Sequence, residues 1–274
     1  MSRVVKSGLF WLAVVIVLLV VLLPILWIYV TAFKGSDDIY AFGLNKLFVF
    51  RPTLENFALL FSKGTFIHEY INTAIISIAS TIMVMVVSLP AAYSFARWSP
   101  GGGHLLFITI STRMFPAVVA AIPYFFLYKD LHLSDTHIGL ILLYLFFNMS
   151  FATFLLYGFF REISVELEQA AMVDGYSRFA VFRKVVLPLI LPGIAVTAVF
   201  CLIFSWNEFL YALLFTRTDA RTLSLGISAM WGAIDIQWGP MCAAIGLGIL
   251  PTLIASLLMQ RYIIRGLTFG AVKG

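Results

Sequence analysis

The 274-residue chain carries little charge: Asp, Glu, Lys and Arg make up 11% of it, against about 25% in an ordinary soluble domain. Apolar residues make up 62%, and the mean hydropathy is +1.01. A soluble domain of this size could not place so much apolar surface inside one core. The composition therefore excludes a soluble enzyme, a disordered chain and a nucleic-acid-binding domain, and it predicts an integral membrane protein.

Motifs for catalysis and for nucleotide binding are also missing. The absence of any Gly-Lys dipeptide excludes a phosphate-binding P-loop, and neither HExxH nor G-x-S-x-G occurs. The two cysteines, Cys201 and Cys242, lie in long apolar runs and are interpreted as small buried hydrophobes. Gly246-Leu247-Gly248 lies within an apolar run and is interpreted as a packing feature. The sequence thus predicts no catalytic residue, no metal site and no cofactor in this chain.

Long apolar runs predict six membrane-spanning helices, because a bilayer core requires about 20 apolar residues per helix. The runs are Gly8–Phe33, Tyr70–Ala96, His104–Tyr128, His137–Phe160, Val186–Phe215 and Trp238–Gln260. Prolines within these runs predict bent helices. Six spans place both termini on one side of the membrane, and the excess of Lys and Arg on that side predicts that it is the cytoplasm.

The loop at 161–184 is the most informative segment between the runs. Ser164 is a predicted helix N-cap, Gly175 a predicted helix stop, and a second short helix is predicted to begin near Ser177. By helical spacing, one face of the first helix carries Leu167, Ala170, Ala171 and Asp174. From the pattern alone, this helix–turn–helix is either a docking surface for another protein or an amphipathic loop on the lipid headgroups.

Four polar residues lie deepest in the predicted spans: Arg113, Asn148, Asn207 and Glu208. Such residues predict a path for a hydroxyl-rich solute, since intramembrane polar groups are commonly functional. The other interpretations are that a charge neutralises a neighbouring helix, or that a long side chain extends towards the membrane surface.

The segment from Ile163 to Pro188 resembles the EAA loop of bacterial ABC importer permeases, with the pattern E-A-A, three residues, G, nine residues, I-x-L-P. The matching residues are Ala170, Ala171, Gly175, Leu187 and Pro188, with Val185 at the isoleucine. Gln169 stands at the usual glutamate and Glu168 one position earlier, so a salt bridge to a partner at this position stays open. Other segments, covering nearly the whole chain, are similar to carbohydrate permeases of the maltose-transporter class: Asn72–Arg97, Arg113–Pro116, Leu133–Leu142, Ser205–Phe209 and Gln260–Gly274.

This resemblance implies an all-α type I ABC importer permease fold with six transmembrane helices and cytoplasmic termini, in the bacterial cytoplasmic (inner) membrane. The chain would be the second, smaller permease subunit. Its partners would be another permease subunit, a cytoplasmic ATPase dimer holding ATP and Mg, an extracytoplasmic solute-binding protein, a carbohydrate solute and the lipid bilayer. The implied divisions are a first span with an outer loop (1–69), a permease core (70–260) containing the coupling loop (161–184), and a cytoplasmic tail (261–274).

Coupling to the ATPase is implied for Glu168, Gln169, Ala170, Ala171, Asp174, Gly175 and Phe182. Arg113, Asn148, Asn207 and Glu208 become candidates for the solute path, which is shared with the other permease. The tail is expected either to contact the ATPase or to anchor the last span by its charge. The alternative function is a self-contained secondary carrier or channel, and the sequence does not choose among sugars, polyols and glycerol phosphate as solute.

Overall fold

The computed structural model describes residues 3–41, 49–62, 64–232 and 236–269, and these are helical apart from turns, loops and one isolated bridge between Trp231 and Ile236. The helices are α1 (Arg3–Ala32), α2 (Ser36–Ile39), α3 (Glu55–Ser62), α4 (Thr65–Trp98), α5 (His104–Ser111), α6 (Ala117–Asp130), α7 (His137–Glu162), α8 (Val165–Val173), α9 (Arg178–Val181), α10 (Leu187–Leu189), α11 (Leu191–Trp206), α12 (Leu210–Phe215), α13 (Leu223–Ala229) and α14 (Trp238–Phe269). Short 3-10 helices cover Pro100–Gly103 and Thr112–Met114, and a π-helix covers Phe182–Val186. The all-α prediction is confirmed for the described ranges.

Several of these helices are long and apolar enough to span a bilayer. Four of them are continuous: Ser7–Ala32, Thr65–Trp98, His137–Glu162 and Trp238–Gln260. Two further stretches reach the required length only as bent pairs, Pro100–Met114 with Ala117–Asp130 at 92° and Arg178–Leu189 with Leu191–Trp206 at 77°. The described chain therefore has four to six candidate spans, and the predicted number of six is reached when each bent pair counts as one.

Prolines lie close to both bends. Phe115 adopts an extended conformation (ψ 130°) before Pro116, because a residue that precedes proline is disfavoured in the helical region. Ile190 lies at the second break, before Pro192 in the first turn of α11, where the missing N–H costs no helical hydrogen bond. Other prolines lie inside continuous helices: Pro24, Pro90, Pro123 and Pro251.

The chain forms two compact units, and the first comprises Met1–His68 and Gly226–Leu250. In its most apolar 18-residue window, α1 buries no residue. The Tyr29 hydroxyl donates to the carbonyl of Gly246 at 3.0 Å, and a Cβ on Gly246 would lie 3.1 Å from the Tyr29 ring. The close packing interpreted from the Gly246 segment is therefore confirmed at Gly246.

Polar contacts fix the end of α1 in the same unit. The buried Asn56 amide donates to the carbonyls of Ala32 at 2.9 Å and Lys34 at 2.7 Å, and so satisfies backbone acceptors left free where the helix ends. The Lys34 ammonium lies 5.2 Å from the ring centroids of both Trp27 and Phe50, a cation–π arrangement that accompanies its burial.

The second unit comprises Glu69–Leu225 and Pro251–Gly274. Within it α7 packs closely on α11, because Gly193 leaves room for the ring of Phe159; a Cβ at Gly193 would lie 2.5 Å from that ring. Cys201 in α11 is fully buried, and Cys242 of the first unit is also buried; both are free thiols. The interpretation of the cysteines as small buried hydrophobes is confirmed.

Candidate functional site

A cavity of about 490 Å³ in the second unit brings together the four polar residues predicted in the spans. Arg113 belongs to the 3-10 turn between α5 and α6, Asn148 to α7, and Asn207 and Glu208 to the break between α11 and α12. The rest of the lining is mostly apolar or aromatic: Phe115, Ala117, Tyr144, Phe147, Ile203, Phe204, Ser205 and Tyr211. The break between α5 and α6 and the break between α11 and α12 thus meet at one cavity. This is expected, because interrupted backbone within a membrane is tolerated only where it lines a cavity or lies inside protein.

Glu208 is held rigidly at this cavity. Its carboxylate accepts hydrogen bonds from the backbone N–H of Tyr211 at 2.9 Å and of Ala212 at 3.2 Å, in the first turn of α12. The Tyr144 hydroxyl donates to the same carboxylate at 3.0 Å. A negative charge at a helix N-terminus is favoured by the helix dipole, so Glu208 fixes the start of α12, and no cationic side chain among the described residues pairs with it.

The guanidinium of Arg113 contacts a backbone carbonyl and two aromatic rings. One guanidinium nitrogen donates to the carbonyl of Phe147 at 3.1 Å, and the guanidinium carbon lies 5.1 Å from the ring centroid of Phe151 and 4.7 Å from that of Phe204. Within the described ranges no ion pair joins Arg113 to Glu208. A guanidinium has five N–H groups, so Arg113 retains donors for a group from outside the chain.

The two asparagines have different roles. Asn148 is buried, and its amide donates at 2.9 Å to Ser205 Oγ, which also accepts from Ser80 Oγ at 3.1 Å. Asn207 is exposed and donates to the carbonyl of Ile203 at 2.8 Å. A mostly apolar wall with a few placed donors and acceptors is typical of a small-molecule site. Across the described ranges, no three His, Cys, Asp or Glu residues are placed to hold a metal ion.

The segment at 161–184, called the inner segment after its predicted cytoplasmic side, folds as its local sequence predicts. Ser164 Oγ accepts from the N–H of Glu166 at 3.2 Å and caps α8, and Ser177 Oγ accepts from the N–H of Ala180 at 3.3 Å and caps α9. Gly175 has φ +89°, and the N–H groups of Gly175 and Tyr176 return to the carbonyls of Met172 and Ala171, both at 3.1 Å. This pair of bonds is a Schellman C-cap. The predicted N-cap at Ser164, the predicted helix stop at Gly175 and the predicted start of the second helix near Ser177 are confirmed.

The seven residues expected to couple to an ATPase fall into two sets. Gln169, Ala170, Asp174 and Gly175 are exposed. Glu168 and Ala171 are buried and Phe182 is half-buried, because these three side chains turn towards α4 and α7. Ala171 therefore departs from the face it was predicted to share with Ala170. The side chains of Glu168 and Ala171 are not available to a protein that docks on the outer face of α8.

Glu168 pairs within the chain. Its carboxylate contacts Arg97 Nε at 2.6 Å and accepts from the Tyr93 hydroxyl at 2.6 Å. Arg97 also donates through Nη2 to the carbonyl of Ile163 at 3.1 Å. The sequence interpretation, which placed Glu168 among the residues that couple to the ATPase, therefore missed its partner at the end of α4.

An aspartate between α6 and α7 anchors the loop after α12. Asp135, between α6 and α7, accepts from backbone N–H groups of the loop: Arg217 at 2.9 Å, Thr218 at 3.0 Å, Ala220 at 3.1 Å and Asp219 at 3.2 Å. Its own N–H donates to the carbonyl of Phe215 at 2.7 Å. Burial raises the pKa of Asp135, but the four N–H bonds outweigh it and hold the pKa well below its usual range.

Several functional-site residues were missed by the sequence interpretation. Tyr144 lies one helical turn before Asn148, so the spacing offered a signal that it shares the cavity face. Ser205 offered none, because an isolated serine in an apolar run more often satisfies its own helix. Arg97 was signalled only as a basic residue at the end of a span, which the distribution of charge across a membrane already explains.

Comparison with known proteins agrees with this arrangement. Residues 85–269 match the family described as binding-protein-dependent transport system inner membrane component. The probable ABC transporter permease protein y4oR of Sinorhizobium fredii is 36% identical over 272 residues, covering 99% of this chain and 98% of that protein. The trehalose transport system permease protein SugB of Mycobacterium tuberculosis is 35% identical over 257 residues, covering 92% and 93%.

The fold agrees as well. A crystal structure of a bacterial ABC transporter involved in the import of the acidic polysaccharide alginate superposes with a TM-score of 0.82 at 22% identity, covering 96% of this chain and 98% of that one. The family match spans well over half of the chain and includes the inner segment and the cavity. The chain therefore belongs to the family of binding-protein-dependent transport system inner membrane components.

Proposed function

We propose that this chain is a permease subunit of an ATP-driven importer that moves a carbohydrate across the membrane by alternating access. The observation that carries the proposal is the cavity where Arg113, Asn148, Asn207 and Glu208 meet at two helix breaks. A hydroxyl-rich solute needs such donors and acceptors in an otherwise apolar wall, and the aromatic side chains offer faces for sugar rings. The trehalose and alginate transporters among the similar proteins support a carbohydrate as solute.

The proposed topology counts each bent pair as one span, which gives six spans with both termini in the cytoplasm. The inner segment 161–184 then lies in the cytoplasm, and the Asp135 anchor lies on the outer side. We assign the chain to the bacterial cytoplasmic membrane, where it works with a second permease subunit and an extracytoplasmic binding protein that delivers the solute.

Energy comes from a cytoplasmic ATPase dimer that binds ATP and Mg, since this sequence has no P-loop. The exposed face of α8, with Gln169, Ala170, Asp174 and Gly175, is the proposed docking surface, because small side chains allow a close approach by another backbone. The tail is proposed to contact the same ATPase. Its residues 261–269 continue α14, and residues 270–274 lie outside the described ranges.

The test is solute uptake into proteoliposomes that contain this chain, the second permease and the ATPase. The binding protein is added to the outer solution, together with the solute. Radiolabelled trehalose is the first probe, and sugars, polyols and glycerol phosphate that shift the melting temperature of the binding protein are the next. We expect uptake to require ATP, the ATPase and the binding protein. Uptake by this chain alone, driven by an ion gradient, would contradict the proposal and favour a secondary carrier.

A pair of arginine variants tests the cavity itself. Arg113→Met should lower uptake about tenfold, because a charge-assisted hydrogen bond contributes about 1.5–3 kcal/mol and each 1.4 kcal/mol is tenfold. Arg51→Met is the matched control, since Arg51 is also exposed but neither lines the cavity nor belongs to the segment 161–184. Equal uptake by both variants would remove Arg113 from the solute path.

A further inference from the structure

The inner segment is joined to α4 by a buried ion pair. The side chains of Arg97 and Glu168 are 7% and 6% exposed, and Nε lies 2.6 Å from Oε1. The second carboxylate oxygen accepts from the Tyr93 hydroxyl, also at 2.6 Å, so both oxygens of Glu168 have a partner. Both partners of the ion pair are charged, the hydrogen bonds are short, and the side chains are almost excluded from solvent. Charge-assisted hydrogen bonds of this kind are about twice as strong as those between neutral groups.

Three elements meet at this pair. Tyr93 and Arg97 belong to the last turns of α4, and Glu168 lies in the first turn of α8. Arg97 also holds the carbonyl of Ile163, where α7 ends. The Tyr93 ring packs at 4.9 Å from that of Phe182, so aromatic packing encloses the polar contacts. The position of α8 is therefore fixed from its buried side.

The same helix α4 reaches the cavity region of the second unit. Ser80, lying 17 residues before Arg97, donates to Ser205 Oγ at 3.1 Å, and Ser205 lines the cavity beside Asn148. At 1.5 Å per residue these two positions are about 25 Å apart along α4, which continues as helix between them through Pro90. One helix thus has the ion pair at one point and a hydrogen bond to the cavity wall at another.

We propose that Glu168 is a positioning residue whose buried pair with Arg97 transmits movement of the ATPase-docked α8 into α4 and on to the cavity. The exposed Gln169 next to it faces the partner, and Glu168 faces the chain. Force applied to the outer face of α8 reaches α4 through two short hydrogen bonds rather than through an adaptable apolar contact. This inference rests on the proposed function, since it assigns a role within the coupling of ATP to transport.

The experiment uses the assembled transporter in lipid nanodiscs, with the cavity reporter Asn207→Cys. Both native cysteines are buried, so a water-soluble maleimide reports chiefly on position 207. The labelling rate is measured without nucleotide and with Mg-ATP plus vanadate. Co-purified ATPase is quantified in the same samples. Glu166→Gln is the matched control, because it removes the same charge from the exposed side of the same helical turn.

We expect Glu168→Gln to retain the ATPase but to lose at least about four-fifths of the nucleotide-induced change in labelling rate, while Glu166→Gln behaves like the unchanged chain. The double variant Arg97→Gln with Glu168→Gln leaves no unpaired buried charge. It is scored in place of the single variant if Glu168→Gln fails to accumulate, and the same loss is expected.

Two results would overturn the inference. One is a nucleotide response of normal size in Glu168→Gln or in the double variant. The other is loss of the ATPase from both of these variants, which would make the buried pair a requirement for ATPase docking rather than for transmission of its movement. A failure of the proposed function is distinguishable, because then the unchanged chain would neither retain the ATPase nor respond to nucleotide.

Discussion

The conformation of Gly175 predicts a graded effect of substitution on coupling. At φ +89° an L-residue is strained, and a Cβ built at this glycine meets no atom within 4 Å, so the cost comes from the backbone alone. That cost is about 1–2 kcal/mol for an ordinary residue, and it is highest for a β-branched one. Such a cost shifts the population with an intact Schellman cap by about 5–30-fold.

We therefore expect uptake to fall in the order Gly175, Gly175→Asn, Gly175→Ala, Gly175→Val, because asparagine adopts left-handed conformations more readily than alanine and valine least readily. The amount of the chain in the membrane should stay constant, since position 175 is exposed and a side chain there would meet no atom of the described residues within 4 Å. The assay is ATP-dependent uptake together with co-purified ATPase, each normalised to the amount of the chain. Normal uptake by the valine variant, or equal loss in the asparagine and valine variants, would refute the reasoning.

Two further predictions concern packing and pH. Gly193→Ala places a Cβ 2.5 Å from the Phe159 ring, so overpacking should cost about 1–3 kcal/mol and lower the unfolding temperature; an unchanged temperature would contradict this. Because the pKa of Asp135 is lowered on folding, its contribution to stability is present above the unfolded pKa of about 3.9 and is lost only as pH falls through the lower folded value. Amides 217–220 should therefore stay protected from hydrogen exchange near pH 4, and Asp135→Asn should expose them at pH 7.

The inner segment shows how much local sequence determines. Ser164, Gly175 and Ser177 act on backbone groups no more than four residues away, so their roles could be predicted without any knowledge of the rest of the chain. The all-helical architecture and the approximate bounds of the long spans followed in the same way from apolar run length. The four polar residues of the cavity were predicted because polar groups are conspicuous in an apolar run.

Contacts between distant residues set the limit of prediction. Glu168 lies 71 residues from Arg97 and 75 from Tyr93, and no spacing within α8 shows that its charge turns inwards. Prolines predicted bends, but Pro116 and Pro192 lie at breaks whereas Pro90 lies in a continuous helix. Which proline breaks a helix depends on what satisfies the freed backbone groups nearby, and that information lies in the fold.

The capping of the inner segment has a consequence for the kinetics of assembly. Two serine caps and one glycine cap close α8 and α9 with bonds made entirely inside the segment. A binding surface that already has its bound shape loses little conformational entropy on association, and no slow folding step precedes each encounter. We therefore expect the ATPase to bind this surface without a folding step, with an association rate constant set by diffusion and by the mutual orientation of the two proteins.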